Sequence, residues 1–331
     1  MAAIPGVPHT ILVAPDSFKG TLSAAEVAEA IGRGLEAAGR PVDLCPVADG
    51  GEGTLDALVL ALGGALRTAT VSDPLGREIE ASFAIGDGGL AIVETAAASG
   101  LGLVEPGERE PIAASTFGTG ELIMAAIEQG AEVVYLGVGG SATTDGGAGA
   151  IRAIHEGGGL KGARIVILCD VRTPFENAAR VFAPQKGADT RQVARLTRRL
   201  NDQAGRLPRD PRGVPMTGAA GGLSGGLWAQ FGAELVPGAQ FVLDAADFDR
   251  RMRAARAVVT GEGKLDQQSL AGKLVSEIST RARQAGVPCH AIVGTRELDS
   301  FGTRVLDLQA VFEASTPRQI SAAAQRLADL L

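Results

Sequence analysis

The run Leu136-Gly-Val-Gly-Gly-Ser-Ala-Thr-Thr-Asp-Gly-Gly-Ala-Gly149 constrains this chain more than any other stretch. Val133, Val134 and Tyr135 before it read as a buried strand, and Ala150 to Ile154 after it as the start of a helix. Between them stand six glycines, three hydroxyls and one carboxylate. Such a backbone can approach a ligand closely and offer N–H groups and hydroxyls to an anion. A glycine-rich turn that only lets a helix pack on a sheet is the plainer reading. Recurrence of the same strand–loop–helix arrangement elsewhere in the chain favours the ligand-binding one.

Thr10 to Ala14 reads as a compact strand. Ser23 and Glu26 form a capping box ahead of a helix whose Val27, Ile31 and Leu35 share one face. Val42 to Val47 reads as the next strand, followed by Asp49, Gly50, Gly51, Glu52, Gly53 and a helix carrying Leu55, Leu58, Val59 and Leu62. A β-α-β-α opening implies a parallel sheet covered by helices. Past the turn signal at Asp73 to Gly76 the pattern changes. Ile79, Ala81, Phe83 and Ile85 alternate with period two and connect through glycines to Leu90 to Val93, a β-hairpin that suggests a second domain.

Further on, Arg164 to Leu168 reads as a buried strand leading to Cys169 and Asp170. Thr190 to Leu207 reads as a helix with Val193, Leu196 and Leu200 on one face; Arg191, Arg195, Arg198 and Arg199 are expected on a solvated one. Ala257 to Thr260, Leu274 to Ala285, His290 to Val293 and Ser321 to Leu331 read as strand, helix, strand and closing helix. A chain of 331 residues favours two domains. The expected division is a discontinuous α/β domain of residues 1–72 plus 284–331 and an inserted α/β domain of residues 73–283.

Composition removes several function classes. Net charge is −7 and aromatic content 4%, without a basic run interleaved with aromatics, so nucleic acid is not an expected partner. Met1 to His9 lacks the features of a secretory leader, and no apolar run is long enough for a membrane span. No membrane association and a cytoplasmic location are therefore expected. Cys45, Cys169 and Cys289 are expected as reduced core thiols, and His9, His155 and His290 show no metal-ligand spacing with them.

Ligands of open α/β sheets bind beyond the carboxyl ends of the strands. Those ends carry, in order, Asp16 with Ser17 and Lys19, Asp49 with Glu52, the Ser141 to Asp145 cluster, Asp170, and Glu262 with Lys264 and Asp266. Acids, lysines and glycine loops together suit phosphoryl transfer. Carboxylates hold hydrated Mg²⁺, cations spread the charge of the moving group, and one carboxylate takes the proton of the attacking hydroxyl. Neither G-x-x-x-x-G-K-[ST] nor a complete G-x-G-x-x-G site is present.

The runs Ala14-Pro-Asp-Ser-Phe-Lys-Gly-Thr21, Val47-Ala-Asp-Gly-Gly-Glu-Gly-Thr54, Gly137 to Gly149, Pro184-Gln-Lys-Gly-Ala188, Gly218-Ala-Ala-Gly-Gly-Leu223 and Thr260-Gly-Glu-Gly-Lys-Leu-Asp266 resemble the signature runs of the bacterial type I glycerate kinases. The resemblance implies ATP-dependent phosphorylation of D-glycerate, typically to 2-phosphoglycerate. It also implies a flavodoxin-like and a restriction-endonuclease-like domain, both α/β, with the active site in the interdomain cleft. The substrate would be a small molecule, and a homodimer is among the expected assemblies.

On that resemblance the catalytic residues would be Asp16, Lys19, Asp170 and Asp266. Ser17, Gly139, Gly140, Ser141, Thr143, Lys186, Glu262 and Lys264 would bind substrate or phosphate, and Asp49, Glu52 and Asp266 the metal. Which carboxylate is the base stays open, with Asp170 and Asp16 the first choices. Asp16, Asp49, Asp145 and Asp266 are expected around one shared cavity. A kinase for another short hydroxy acid, or a ligand-binding homologue without turnover, is the alternative.

Overall fold

The computed structural model describes residues 10–271 and 273–331, so Met1 to His9 lies outside the described residues. The strands are, in chain order, β1 (Ile11–Pro15), β2 (Val42–Leu44), β3 (Ala65–Ser72), β4 (Glu78–Gly86), β5 (Leu90–Glu94), β6 (Val133–Gly137), β7 (Arg164–Leu168), β8 (Glu234–Val236), β9 (Ala257–Gly261), β10 (Lys264–Leu265), β11 (Cys289–Val293), β12 (Thr295–Arg296) and β13 (Leu308–Glu313). Helices on the sheets complete an α/β chain with two compact units. The first ends at Asp49 and resumes from Ala239 to Leu331, and the second is Gly50–Gly238.

In the first unit the sheet order is β13-β11-β9-β1-β2, with every pairing parallel. Counted within the sheet this is the doubly wound order 2-1-3-4-5, whose switch point falls between β1 and β9. All five residues of β1 are buried, as expected of a strand covered on both faces. Ser23 and Glu26 do form a capping box on the helix Ala24–Ala37, whose Val27, Ile31 and Leu35 are fully buried. That helix lies so close to Pro317–Ala328 that a Cβ on Gly34 would stand 2.2 Å from the Ser321 carbonyl oxygen.

The second unit is built on the order β3-β4-β5-β6-β7-β8. Its first two pairings are antiparallel, including the hairpin read from the sequence, and the remaining three are parallel. Phe83, Leu122, Leu136, Ile154 and Ile167 lie in its main core. A smaller core of Phe175, Leu196 and Leu200 sits under the helix Thr190–Ala204.

The unit boundaries differ from those expected at 72/73 and 283/284. Strand β9 pairs between β1 and β11, which draws the chain from Ala239 onward into the first unit. The helix Thr54–Leu62 instead packs on β4 and β5, which places it in the second. The closing helix runs Pro317–Ala328 rather than from Ser321, because the Thr316 side chain caps the Gln319 N–H with Pro317 in the first turn.

Cys45, Cys169 and Cys289 are free and buried, and burial pushes their thiols up to about 11, 12 and 12. A native sample is expected to leave all three unlabelled by a thiol-exchange reagent and to react fully once denatured, since the thiolate is the nucleophile. Labelling within seconds under native conditions would contradict that burial. No helix among the described residues is long and apolar enough to cross a membrane.

Candidate functional site

The carboxyl ends of the first sheet's strands converge on a cavity of about 330 Å³. After β2 the chain keeps bonding to β1, Cys45 N–H to Val13 O at 2.8 Å and Val47 N–H to Pro15 O at 3.1 Å, and this continued pairing delivers Asp49 beside Asp16. The loop after β9 supplies Glu262, Lys264 and Asp266, and the loop after β1 supplies Ser17 and Lys19. A site at the switch point of a parallel sheet is where backbone ends and loops leave room for a ligand.

Asp16 is 6% exposed, and its Oδ1 accepts the Ser17 N–H at 2.7 Å. Burial, with the Asp49 charge added, holds its carboxyl well above the usual carboxylate range against the opposing pull of Lys19. Glu262 is pushed up to about 7, chiefly by burial; the Ser269 hydroxyl donates to its Oε1 at 2.5 Å and works the other way. Asp266 accepts the Gln268 N–H at 2.8 Å. Lys19 stands 3.9 Å from Asp49, and Lys264 3.9 Å from Asp266 and 2.8 Å from Glu297. Two carboxyls whose proton affinity burial raises, set beside cations, are an arrangement that can take a proton from a hydroxyl and receive an anionic phosphoryl group.

The oxygen donors present suit a hard divalent cation. Among the described residues no three His, Cys, Asp or Glu side chains form a closed metal cage.

The second unit gathers a different set. Lys186, 3% exposed, donates to the Ser141 hydroxyl at 2.9 Å and to the Thr143 carbonyl. Burial draws its ammonium down to about 7, with the Asp145 charge opposing. Glu94 accepts the Leu55 N–H at 2.7 Å and is pushed up to about 7 by burial, with Asp56 and Glu52 adding to the rise. Gly139 carries no side chain because a Cβ there would stand 2.3 Å from the Gly51 Cα, a packing reason that needs no ligand.

A sequence profile described as the glycerate kinase family matches residues 11–156 and 157–331. The chain belongs to the glycerate kinase family. Among curated members, Escherichia coli glycerate 2-kinase is 38% identical, over 92% of this chain and 90% of its own length. Bacillus subtilis glycerate kinase is 39% identical, over 91% and 89%. A crystal structure from Salmonella typhimurium LT2, assigned as glycerate kinase 2, superposes with a TM-score of 0.81 at 33% identity, covering 98% of each chain.

Of the residues read from the sequence as the site of this family, Asp16, Ser17, Lys19, Asp49, Glu262, Lys264 and Asp266 line the same cavity in the first unit. Glu52, Gly139, Gly140, Ser141, Thr143, Asp170 and Lys186 belong to the second. Asp145 does not line the cavity of Asp16, Asp49 and Asp266, contrary to expectation. It lines another, and its carboxylate is taken up by four donors: the Thr116 N–H and hydroxyl and the N–H groups of Gly147 and Gly149. Arg199 is likewise only partly solvated, being half-buried and donating to the carbonyls of Ile112 and Thr144 at 2.7 Å each. Sequence reasoning missed Lys273, which lines the first cavity, and Ser269, which holds Glu262. Both lie beyond the last signature run; a hydroxyl three residues after Asp266 is the one local signal, and it accepts the Asp266 N–H at 3.1 Å.

Proposed function

We propose that the chain phosphorylates D-glycerate from ATP, with 2-phosphoglycerate as product, in a cytoplasmic setting. The observation that carries this reading is the cavity at the switch point, where Asp16, Asp49, Glu262 and Asp266 meet Lys19 and Lys264. Its donors suit a triphosphate and a small acceptor rather than a nucleic acid or lipid. The all-parallel order of the first sheet supports a flavodoxin-like assignment for that unit, and a restriction-endonuclease-like assignment of the second is proposed with it.

In this reading Asp16 takes the proton of the attacking hydroxyl. It is the most enclosed carboxyl of the set, and its raised proton affinity brings it toward the operating pH. Lys19 and Lys264 meet the transferring phosphate as point charges. Asp49 and Asp266 would hold Mg²⁺, which when bound spreads the charge of the phosphoryl oxygens. Lys186 and Ser141 are proposed for the substrate carboxylate or phosphate, with Thr143 and the Gly139–Gly140 backbone beside them.

Phosphorus NMR of the product from ATP and D-glycerate tests the reading directly. A phosphate on carbon 2 is the expected result. Turnover of another short hydroxy acid with a higher kcat/KM would move the acceptor assignment, because a site that pairs a hydroxyl strongly rejects analogues lacking it. Absence of any turnover would overturn the reading.

The pH dependence supplies a second check. Glu262, ordinarily ionised well below neutrality, is held at about 7. The acid limb of kcat/KM is therefore expected to break near pH 7, and Glu262→Gln to remove that break. An unchanged acid limb in the variant would clear Glu262 of the role.

A further inference from the structure

The helix Thr190–Ala204 buries Leu196 and Leu200 and turns its other side, with the turn that follows, to a cavity of about 540 Å³ in the second unit. Four guanidinium groups reach that cavity: Arg195, Arg198, Arg199 and Arg206. Other arginines of this acidic chain do find carboxylates, among them Arg77 with Asp73 and Glu108, and Arg281 with Asp244, Asp249 and Glu277. Among the described residues, the side chains of Arg195, Arg198 and Arg206 have no such partner. Asp145 and Asp202 share the cavity wall; the oxygens of Asp145 already accept four hydrogen bonds, and Asp202 forms no ion pair with these arginines. Arg199 lies deeper, and its Nε–H is buried with no acceptor.

Four guanidinium groups against two carboxylates, one of them already taken up by four donors, leave an excess of positive charge that an anion completes, and the guanidinium fork is shaped for bidentate phosphate contacts. The same wall also grips the glycine-rich loop. Arg199 donates to the Thr144 carbonyl at 2.7 Å, and the Gln203 amide donates to the Gly146 carbonyl at 2.8 Å.

We infer that this cavity is a binding site for a small phosphorylated anion bearing at least two negative charges, and that its occupant braces the Thr144–Gly149 loop. It shares no lining residue with the carboxylate-lined cavity. The inference does not depend on the identity of the acceptor in the proposed reaction.

Titration calorimetry of the full chain with inorganic pyrophosphate, at low ionic strength and with EDTA present, tests it. EDTA keeps metal-bridged pyrophosphate away from the carboxylates. The wild type is expected to bind one equivalent, and an Arg195→Ser/Arg198→Ser variant at least tenfold more weakly. Both positions are exposed, so the variant is expected to fold and to keep its turnover when pyrophosphate is absent. Amide exchange across Asp145 to Gly149 should slow on pyrophosphate binding in the wild type alone. No binding to the wild type, or equal affinity in the variant, would overturn the site. Loss of turnover in a variant of native circular dichroism would tie these arginines to the reaction and overturn a separate site.

Discussion

Asp16→Asn lowers kcat by about 10²–10⁴-fold, the range a positioned acid–base group supplies, and leaves the fold at pH 7 no less stable than wild type. The two halves of this expectation have one cause. Asp16 is enclosed beside Asp49, so its folded-state carboxyl binds protons more tightly than in the unfolded chain. With more protons bound in the folded state, stability falls as pH rises from the unfolded value through the folded one. The ionised carboxylate is then a strain on the fold at neutral pH, and the neutral amide of Asn relieves it while losing the proton acceptor. Steady-state kinetics with thermal denaturation at pH 7 check both halves. Wild-type kcat in the variant, or a fall in Tm, would remove Asp16 from the role of base.

Asp16 stood out in the sequence because it directly follows an unbroken apolar strand, although turn or helix-capping duty is the commoner fate of an Asp at that position. The strand itself was legible for the same reason: Ile11 to Pro15 is covered on both faces, so every residue is apolar. Strand β3 was not. Its ALRTATVS run is mostly exposed and shows no clean alternation, and its place is fixed by pairing with β4. The unit boundary was equally invisible, since the insertion of β9 between β1 and β11 is a pairing across more than two hundred residues that no local period encodes.

Arg199 shows the limit of the helical wheel. Its angle on the helix correctly separates it from Leu196 and Leu200, but whether that angle meets water or the carbonyls of Ile112 and Thr144 depends on what tertiary packing brings there. The carboxylates divide along the same line. Those at strand ends of the first sheet line one cavity, whereas Asp145, in the richest glycine run of all, has its oxygens consumed by its own surroundings.

That division makes Asp145→Ala the expected counterpart of Asp16→Asn, with stability rather than turnover as the main loss. The substitution strands the Thr116 N–H and hydroxyl and the N–H groups of Gly147 and Gly149, all buried. Unpaired buried donors each cost about 1–3 kcal/mol, and partial relaxation brings the expected total to about 3–5 kcal/mol. Asp145 is also the charge that opposes the loss of the proton from buried Lys186, so its removal should drive that ammonium further toward the neutral amine. Urea unfolding is the measurement. A midpoint lowered at unchanged slope is the expected result, because the slope reports exposed surface and the midpoint reports stability. A wild-type midpoint with kcat reduced as far as in Asp16→Asn would mean that Asp145 acts on the substrate, and that its four donors are bystanders rather than the reason it is there.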